Sequence, residues 1–392
     1  MKIAILWPRF GPYHLARLRG ATERCAARGA RIVGLEIAQQ DHYAWDLREG
    51  ADGFDRHTVF PEARYDALTS RQIGRGVAQA LDAIRPAVVA INGWSVPEAR
   101  AALAWCRRRG ARAVLMSETK WDDGDQRTWW KETIKGWLVR RCDAALVGGR
   151  PQADYLQRLG FPHARIFFGY DVVDNDYFAR ETARVRTAAA AHRARHRLPE
   201  RYFFACTRFL PRKNIDGLLR AYAAYRAAAG TPWGLVIAGS GEEADALHAL
   251  QRRLGLDGVD WPGFVQYEQL PVYFGLAAAF IHPAKSEPWG LVVNEAAASG
   301  LPLLVSRTVG ARYELLAEGD NGFLFDPTDI ADIARVLRAM ADLPESDRAA
   351  MGARSTAVVA DWSPTRFGEG LFAAISAAQS NSSRLTPHAS RS

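Results

Sequence analysis

The chain has 392 residues, which is enough for two domains that each bury a core, and 48% hydrophobic with 24% charged residues is an ordinary balance for a water-soluble protein. Four scattered cysteines without a Cys-x-x-Cys pair argue against a disulfide framework and a zinc site, and no apolar run approaches the roughly 18 residues of a membrane-spanning helix. The net charge of +8 is uneven: Lys plus Arg against Asp plus Glu is 28 to 21 in residues 1–180 and 23 to 22 in residues 181–392.

The first half of the chain alternates buried-type strands with amphipathic helices. A strand at 2–7 leads through a loop at 8–14 into a helix that carries Leu15, Leu18 and Ala21. Residues 39–64 have few periodic signals and predict a long loop with a short strand near 57–60. The alternation predicts a parallel sheet wound on both sides. Further predicted strands are 30–37, 87–91, 113–116, 144–147 and 166–168, and further helices are 71–84, 97–109 and 150–159.

The same pattern starts again near residue 202 and predicts a second doubly wound domain. In such sheets, ligands bind at the carboxyl ends of the strands. The predicted strands are 203–206, 234–238, 259–261 and 303–305, and the predicted helices are 215–229, 244–254, 270–276 and 291–299.

Residues 280–306 predict a strand, a polar loop, a short helix and a second strand. Glu287 lies in the loop, and Glu295 lies about two turns into the helix. The backbone N–H groups of Gly290, Leu291 and Val292 begin the helix, where the dipole and unpaired donors favour a phosphate. The stretch therefore predicts a site for a phosphorylated sugar. The alternative is that both carboxylates are ordinary surface or partly exposed groups.

The order His282-Pro283-x-x-x-Glu287, Glu295 and then Gly300-x-Pro302 resembles the donor-site signature of glycosyltransferase family 4. This resemblance covers most of residues 200–340. It implies a retaining enzyme of the GT-B fold, in which two Rossmann-like α/β domains face a central cleft and a C-terminal helix crosses back to the first domain. The implied division is 1–178 for the acceptor-side domain, 179–200 for a linker, 201–364 for the nucleotide-sugar domain, 365–378 for the crossing helix and 379–392 for a disordered tail.

The resemblance assigns further donor-site residues. Arg208 and Lys213 follow a predicted strand and match the family's two cations, which neutralise the leaving diphosphate. Glu295 would hold the ribose hydroxyls, and Glu287 would bind the donor sugar and support its oxocarbenium-like transition state. Phe264 and Val265 match a Gly-Phe-Val turn whose backbone meets the base, although packing in the core is the alternative. With less weight, the turn at 308–310 with Glu314 resembles the family's glycine-containing turn.

The first domain departs from the family pattern. Many members have a histidine after the strand that corresponds to 113–116, whereas this chain has Glu118 in the segment that follows. Either Glu118 takes that place, or the loop after the first strand, with Gly11 and His14, supplies the polar group near the acceptor. A solvated loop histidine is the alternative for His14.

Tryptophans stand among charged residues in the segment after Glu118. Aromatic platforms in such surroundings suit a sugar or another ring-bearing acceptor. The alternative is an amphipathic helix that buries them. The tryptophans of this segment are Trp121, Trp129, Trp130 and Trp137.

Two motifs point elsewhere and are set aside. The run from Gly239 to Ala244 fits Gly-x-Gly-x-x-Ala but lies late in the chain without the acidic partner of a dinucleotide site. The Asp-x-Asp runs at 123–125 and 174–176 are more simply turns. We therefore predict no metal site and no cofactor beyond the donor.

The sequence thus predicts a cytoplasmic, metal-independent glycosyltransferase of the hexosyltransferase type, which acts in the synthesis of cell-surface polysaccharide, glycolipid or another glycoconjugate. The acceptor, whether saccharide, lipid-linked or small molecule, is not identified, and no nucleic-acid partner is expected. A nucleotide-sugar epimerase of the same fold and a non-catalytic sugar-nucleotide-binding protein remain alternatives. The basic first half indicates a solvated surface, or peripheral contact with an anionic acceptor or the inner face of a membrane. Candidates for that contact are Arg17, Arg24, Arg28, Arg107, Arg108 and Arg109.

Overall fold

The computed structural model describes residues 1–40, 53–123 and 127–380, and the chain divides into two compact units. The first consists of Met1–Trp121, Gln126–Val172 and Pro364–Ser392, and the second of Asp122–Asp125 and Val173–Ser363. Each unit has its own parallel sheet and its own apolar core. Among the described residues, no helix is long and apolar enough to cross a membrane.

The described part of the first unit has a seven-stranded sheet in the order β3-β2-β1-β4-β5-β6-β7, with every pair parallel. Its central strands are continuous apolar runs because helices cover both faces of the sheet, and Ile3 to Leu6 are completely buried. The strands are β1 Lys2–Trp7, β2 Arg31–Gln40, β3 Asp55–Arg64, β4 Val88–Asn92, β5 Arg112–Ser117, β6 Ala144–Val147 and β7 Ile166–Phe168. The helices are α1 Pro12–Ala26, α2 Ser70–Ile84, α3 Pro97–Arg109, α4 Trp129–Val139 and α5 Arg150–Arg158.

Strand β3 corrects the prediction of a long loop with a short strand near 57–60. It spans ten residues and pairs in parallel with β2 at the edge of the sheet. The strand contains Pro61 and is only half buried, so its sequence lacks the apolar run of a central strand. Residues 41–52 of the predicted loop lie outside the described part of the chain.

The second unit repeats this design with a six-stranded parallel sheet in the order β10-β9-β8-β11-β12-β13. Its strands are β8 Tyr202–Cys206, β9 Gly234–Ala238, β10 Val259–Gly263, β11 Ala279–His282, β12 Leu303–Ser306 and β13 Gly322–Phe325. Its helices are α6 Asn175–Thr187, α7 Ala189–His196, α8 Ile215–Ala228, α9 Ala244–Arg253, α10 Leu270–Leu276, α11 Leu291–Ala298, α12 Arg312–Leu315, α13 Ile330–Asp342 and α14 Glu345–Val359.

The segment 179–200, which was predicted as a linker, is largely helical and belongs to the second unit. Helix α6 is fixed there by Phe178, which is buried and meets the rings of Tyr267 and Phe274 at centroid distances of 5.4 and 5.8 Å. The segment is rich in alanine and arginine, which are strong helix formers.

The last described helix, α15 Pro364–Ser380, returns to the first unit. It packs against α1 and against β5, β6 and β7, as the crossing helix was predicted to do. Its buried side chains include Phe367, Leu371 and Ile375. Of the predicted tail, residues 381–392 lie outside the described part of the chain.

Candidate functional site

The strand order of the second unit creates a crevice beside the predicted donor residues. Strands β8 and β11 are neighbours in the sheet, but the chain leaves β8 toward β9 and leaves β11 toward β12. The loops that follow these two strands therefore diverge, and ligands of doubly wound sheets bind at this point. The loop after β8 carries Arg208 and Lys213, and the loop after β11 carries Glu287.

A buried asparagine holds the two loops together. Asn214 adopts a left-handed conformation with φ of 59°, and its Nδ2 donates to the carbonyl oxygens of Pro283 at 3.0 Å and Pro327 at 2.7 Å. The backbone N–H of Lys285 also donates to the carbonyl of Arg212 at 2.8 Å. Sequence reasoning missed Asn214, because an asparagine between a lysine and a helix reads as an ordinary helix start.

Glu287 is the centre of a buried charged cluster. Its Oε2 contacts Nζ of Lys213 and lies 3.2 Å from Nε2 of His282, and its Oε1 lies 3.6 Å from Nη1 of Arg212. Glu287 and Lys213 are both buried. Burial by itself would raise the pKa of Glu287, but the charge of Lys213 and the hydrogen bond to His282 hold that pKa well below its usual range. The carboxylate is therefore ionised.

The structure joins two residues whose predicted roles were separate. Lys213 was assigned to the diphosphate and Glu287 to the sugar, and here they form one ion pair. Arg208 is exposed on the same loop, and the side chain of Arg212 is about half exposed. These four side chains carry three positive charges and one negative charge.

His282 is a site residue that the sequence analysis quoted in a motif but gave no role. Burial lowers its pKa, so the ring is neutral. Since its Nε2 faces an ionised carboxylate, that nitrogen carries the proton and donates to Glu287. Its Nδ1 is then an acceptor, and it has no hydrogen-bond partner among the described residues. The buried hydroxyl oxygens of Ser286 and Thr207 likewise have none within the described ranges.

The start of helix α11 depends on glycine at position 290. Gly290 has φ of 99°, and a Cβ there would lie 3.2 Å from Cγ of Glu287. The preceding Trp289 is completely buried and donates from Nε1 to Oδ1 of Asn294 at 2.9 Å. Gly290, Leu291 and Val292 are only half buried, so the first turn of the helix is accessible to a ligand.

The turn at 308–310, which resembles the family's glycine-containing turn, supports the loop that carries Glu287. The N–H of Gly310 donates to the carbonyl of Glu287 at 3.1 Å. The hydroxyl of Thr308 donates to the carbonyl of Ala284 at 2.6 Å. The turn therefore fixes the backbone on which the carboxylate stands.

The remaining predicted donor residues differ in accessibility. Glu295 is almost completely buried. The pKa of Cys206, at the end of β8, is raised first by burial of the thiol and next by the charge of Glu295. Phe264 is 37% exposed just after β10, whereas the neighbouring Val265 is buried. The ring of Phe264 is therefore open to a ligand, while the side chain of Val265 belongs to the core.

The predicted acceptor residues of the first unit lie around an aromatic cluster. His14 accepts a hydrogen bond at Nδ1 from the N–H of Gly11 at 2.9 Å, and its ring lies 4.8 Å from that of Trp7. Burial, followed by the charges of Arg17 and Arg9, lowers the pKa of His14 to about 3. The ring is neutral, and its proton is on Nε2.

The charge of Glu118 acts on the same cluster. Nε1 of Trp7 donates to Oη of Tyr170 at 3.1 Å. The pKa of Tyr170 is raised to about 12, mainly by burial, and the charge of the exposed Glu118 contributes to this rise. His14 therefore contacts this aromatic cluster directly, and Glu118 acts on it through its charge. Arg17 is buried beside it in an ion pair with Asp171 at 3.3 Å, so its prediction as a surface contact is wrong.

The motifs that were set aside have structural explanations in the described chain. The Gly239 loop packs against Phe209, whose N–H donates to the carbonyl of Ser240 at 2.8 Å. Asp174 caps α6 by accepting from the N–H of Tyr177 at 3.0 Å. Residues 124 and 125 of the other Asp-x-Asp run lie outside the described ranges. Within those ranges, no three His, Cys, Asp or Glu side chains are grouped to hold a metal ion.

Comparison with known proteins relates the second unit to sugar-transferring enzymes. Residues 189–357 match the family described as "Glycosyl transferases group 1". The chain is 35% identical over 135 residues to O-antigen chain mannosyltransferase B of Escherichia coli, covering 34% of this chain and 35% of that protein. It is 32% identical over 262 residues to the GDP-mannose-dependent alpha-(1-6)-phosphatidylinositol monomannoside mannosyltransferase of Mycolicibacterium smegmatis, covering 63% and 65%. The chain spans half or less of the length of the first curated relatives it matches, between 35% and 50%.

Solved structures resemble the whole chain. Sucrose-phosphate synthase from Thermosynechococcus elongatus has a TM-score of 0.75 at 18% identity, covering 97% of this chain and 100% of that one. The Anabaena protein Alr3699/HepE, solved in complex with UDP and glucose, has a TM-score of 0.70 at 15% identity, covering 96% and 99%. At such identities the likeness establishes the fold alone, which is GT-B, as predicted.

Proposed function

We propose that this protein is a glycosyltransferase that moves a sugar from a nucleoside diphosphate sugar to an acceptor with retention of anomeric configuration. The observation that carries the proposal is the buried ion pair of Lys213 and Glu287 beside the crevice between the carboxyl ends of β8 and β11. The family match of residues 189–357 supports it, because it covers both members of the pair.

The charge of the cluster suits a diphosphate leaving group. Arg208, Arg212 and Lys213 carry three positive charges against the single negative charge of Glu287. The net charge of the four side chains is therefore +2, which suits a diphosphate that gains negative charge as the sugar departs. Fixed cations stabilise such charge without reorganising. The N–H groups at the accessible start of α11 add donors for phosphate oxygens.

Glu287 suits the opposite end of the breaking bond. Its carboxylate remains ionised because Lys213 pairs with it and His282 donates a hydrogen bond to it. A carboxylate in this position would stabilise the positive charge on an oxocarbenium-like sugar. The buried atoms without partners, Nδ1 of His282 and the hydroxyls of Ser286 and Thr207, surround the same crevice. Buried polar groups nearly always have partners, so hydrogen bonds to donor hydroxyls or phosphate would complete them.

We assign the acceptor to the first unit. His14 presents a neutral ring with its proton on Nε2, and the charge of the exposed Glu118 acts on Tyr170 of the same cluster. One group can donate to an acceptor hydroxyl and the other can accept from it. The names of the two relatives above, which concern O-antigen and a phosphatidylinositol mannoside, support an acceptor that is part of a cell-surface polysaccharide or glycolipid.

The test is to incubate the protein with UDP-, GDP- and ADP-sugars, with and without lipid and saccharide acceptors, and to follow free nucleotide and the sugar product. Free diphosphate with a new glycoside of unchanged anomeric configuration by NMR is the expected result. Conversion of the donor sugar without an acceptor would indicate an epimerase. Tight donor binding without any turnover would indicate a binding protein and overturn the proposal.

A further inference from the structure

Helix α4 of the first unit turns its aromatic side chains to solvent. Trp129 is 82% exposed, Trp130 48%, Ile134 51% and Trp137 52%. At 3.6 residues per turn these four positions fall within an arc of about 140°, so they share one surface, which we call the aromatic face of α4. The burial of these tryptophans, which the sequence left open, does not occur in the structure.

The opposite surface of α4 is polar and anchored. Oε2 of Glu132 accepts from Oη of Tyr155 at 2.8 Å, and Oε1 accepts from Nζ of Lys135 at 2.9 Å. A guanidinium nitrogen of Arg127 lies 3.4 Å from the same Oε1. Gly136 and Val139 are buried on this side. Turning the aromatic face inward would break this network, so the helix is held in its outward orientation.

The aromatic face is accompanied by positive charge. Nζ of Lys131 lies 5.6 Å from the ring centroid of Trp130, and the guanidinium of Arg141 lies 3.1 Å from that of Trp137. Arg140 at the end of the helix does not join this face, because its Nη1 donates to the carbonyl of Leu159 at 2.8 Å. Glu132 is the only acidic residue of α4, and it is engaged on the inner side.

We propose that the aromatic face of α4 docks on a bilayer surface that contains anionic lipid. Tryptophan rings and an aliphatic side chain enter the boundary between headgroups and acyl chains, while neighbouring cations meet the lipid phosphates. The proposal deepens the proposed function, because docking would bring the enzyme to a lipid-linked acceptor. It rests on the proposed function in that respect alone. Binding itself requires neither donor nor turnover.

The charges and shape of the face favour lipid over other occupants. A symmetric pair of chains joined through this face would bring Lys131 and Arg141 of both copies into one interface, and like charges repel. A sugar platform combines rings with converging hydrogen-bonding groups, whereas this face adds the aliphatic Ile134, which is 51% exposed, to its rings. A bilayer surface accepts both the apolar and the cationic parts.

The experiment measures flotation of the full chain with phosphatidylcholine vesicles, with and without phosphatidylglycerol, at low and high salt. We expect binding only with the anionic lipid, weakening as salt shortens the Debye length. The triple variant Trp129→Ser, Trp130→Ser, Trp137→Ser should lose at least about tenfold in affinity, because the apolar area that enters the interface is gone. Lys131→Glu with Arg141→Glu, which reverses the two cations beside the rings, should also lose about tenfold or more.

Matched controls separate this surface from general charge and from misfolding. Arg252→Glu with Arg253→Glu removes two exposed cations from α9 of the second unit and should leave binding unchanged. The single variant Trp129→Ser changes the most exposed tryptophan, so it should fold normally by circular dichroism and still bind more weakly. Lipids brominated near the headgroup should quench tryptophan fluorescence in the wild type and much less in the triple variant.

Three results would overturn the proposal. One is the absence of binding to anionic vesicles at low salt. Another is equal loss of binding in the α9 control and the α4 charge variant, because binding would then be unspecific. The third is that the wild type forms a dimer in solution, does not bind vesicles, and becomes monomeric in the triple variant. A second copy of the chain would then be what covers the aromatic face of α4. None of these depends on sugar transfer, so the proposed function is tested separately.

Discussion

Lys213 and Glu287 form a buried ion pair inside the second unit. Removing one member of a buried pair leaves an uncompensated charge, which typically costs about 3–5 kcal/mol of stability. Arg208 differs, because its side chain is exposed and so remains largely solvated. The two cations of the predicted diphosphate site should therefore respond differently to substitution.

For Arg208→Ala we expect turnover to fall by about 2–4 kcal/mol of transition-state energy with little change in stability. Lys213→Ala should lower turnover by a similar amount and also destabilise the fold, which the sequence alone did not predict. Steady-state kinetics and urea denaturation measure the two effects. Turnover that is unchanged in either variant would remove that residue from the site.

Glu287→Gln keeps the shape of the side chain and removes the negative charge opposite the departing sugar. We expect nucleotide binding by calorimetry to persist and transfer to collapse, because the amide cannot balance positive charge in the transition state. If binding and transfer fall in step, Glu287 only positions the donor. Glu242→Gln, which changes an exposed carboxylate of the same unit, is the control.

The depressed pKa of Glu287 makes stability depend on acid pH. Its folded pKa lies below the unfolded value of about 4.3, so the unfolded chain takes up the proton first. The stabilisation is fully present above the unfolded value and is lost as pH falls through the folded one. The difference in unfolding free energy between wild type and Glu287→Gln should be constant near neutrality and shrink below about pH 4. A difference that stays flat into acid would contradict the ion pair.

At the scale of elements, the junction between the Glu287 loop and α11 determines the geometry of the donor site. A left-handed residue, a completely buried tryptophan and the turn at 308–310 fix this junction. The sequence predicted the helix and its glycine start. It did not predict that Trp289 is buried or that the turn at 308–310 donates to the Glu287 carbonyl, because both depend on packing and not on local pattern.

Gly290→Ala should weaken donor binding and destabilise the protein. A non-glycine residue in the left-handed region costs about 1–2 kcal/mol, and here the new Cβ would also crowd the Glu287 side chain. Gly319→Ala is the matched control, because Gly319 has φ of 80° but no heavy atom within 4 Å of its Cβ position. Calorimetry should show a larger loss of affinity for Gly290→Ala, and equal effects would mean that crowding at the site is unimportant.

Strand β3 and helix α4 mark the limit of pattern reading at this scale. β3 forms because β2 offers an edge for backbone pairing, which requires no apolar run in its partner. In α4 the aromatic residues have the helical spacing of a core stripe, yet the buried network of Glu132 and Tyr155 turns them outward. Periodicity shows that a face exists, and tertiary contacts decide where it points.

At the scale of the whole molecule, we expect chelators to leave transfer intact. The cations of the second unit supply the charge that a divalent ion would otherwise bring to the diphosphate, and Asp174 of one Asp-x-Asp run is committed to capping α6. The measurement compares initial rates with and without EDTA. Activity that disappears with EDTA and returns with Mg²⁺ or Mn²⁺ would contradict the expectation.

The sequence by itself determined the fold class and many of the element bounds, because buried parallel strands are short apolar runs and the intervening helices carry their own stop signals. Strands such as Lys2–Trp7, Ala144–Val147 and Gly234–Ala238 were predicted to the residue. It also named Lys213 and Glu287, because their motif is local and spaced.

Only the tertiary structure decided how these side chains are used. The pairing of Lys213 with Glu287 joins residues 74 positions apart in the sequence, and the hydrogen bond from Asn214 to Pro283 spans 69. These residues meet because β8 and β11 are neighbours in the sheet. The partners of Glu287, and not burial, keep its pKa below the usual range, and the same carboxylate alone in water would have an ordinary pKa. The outward face of α4 was decided in the same way, by partners that no local pattern contains.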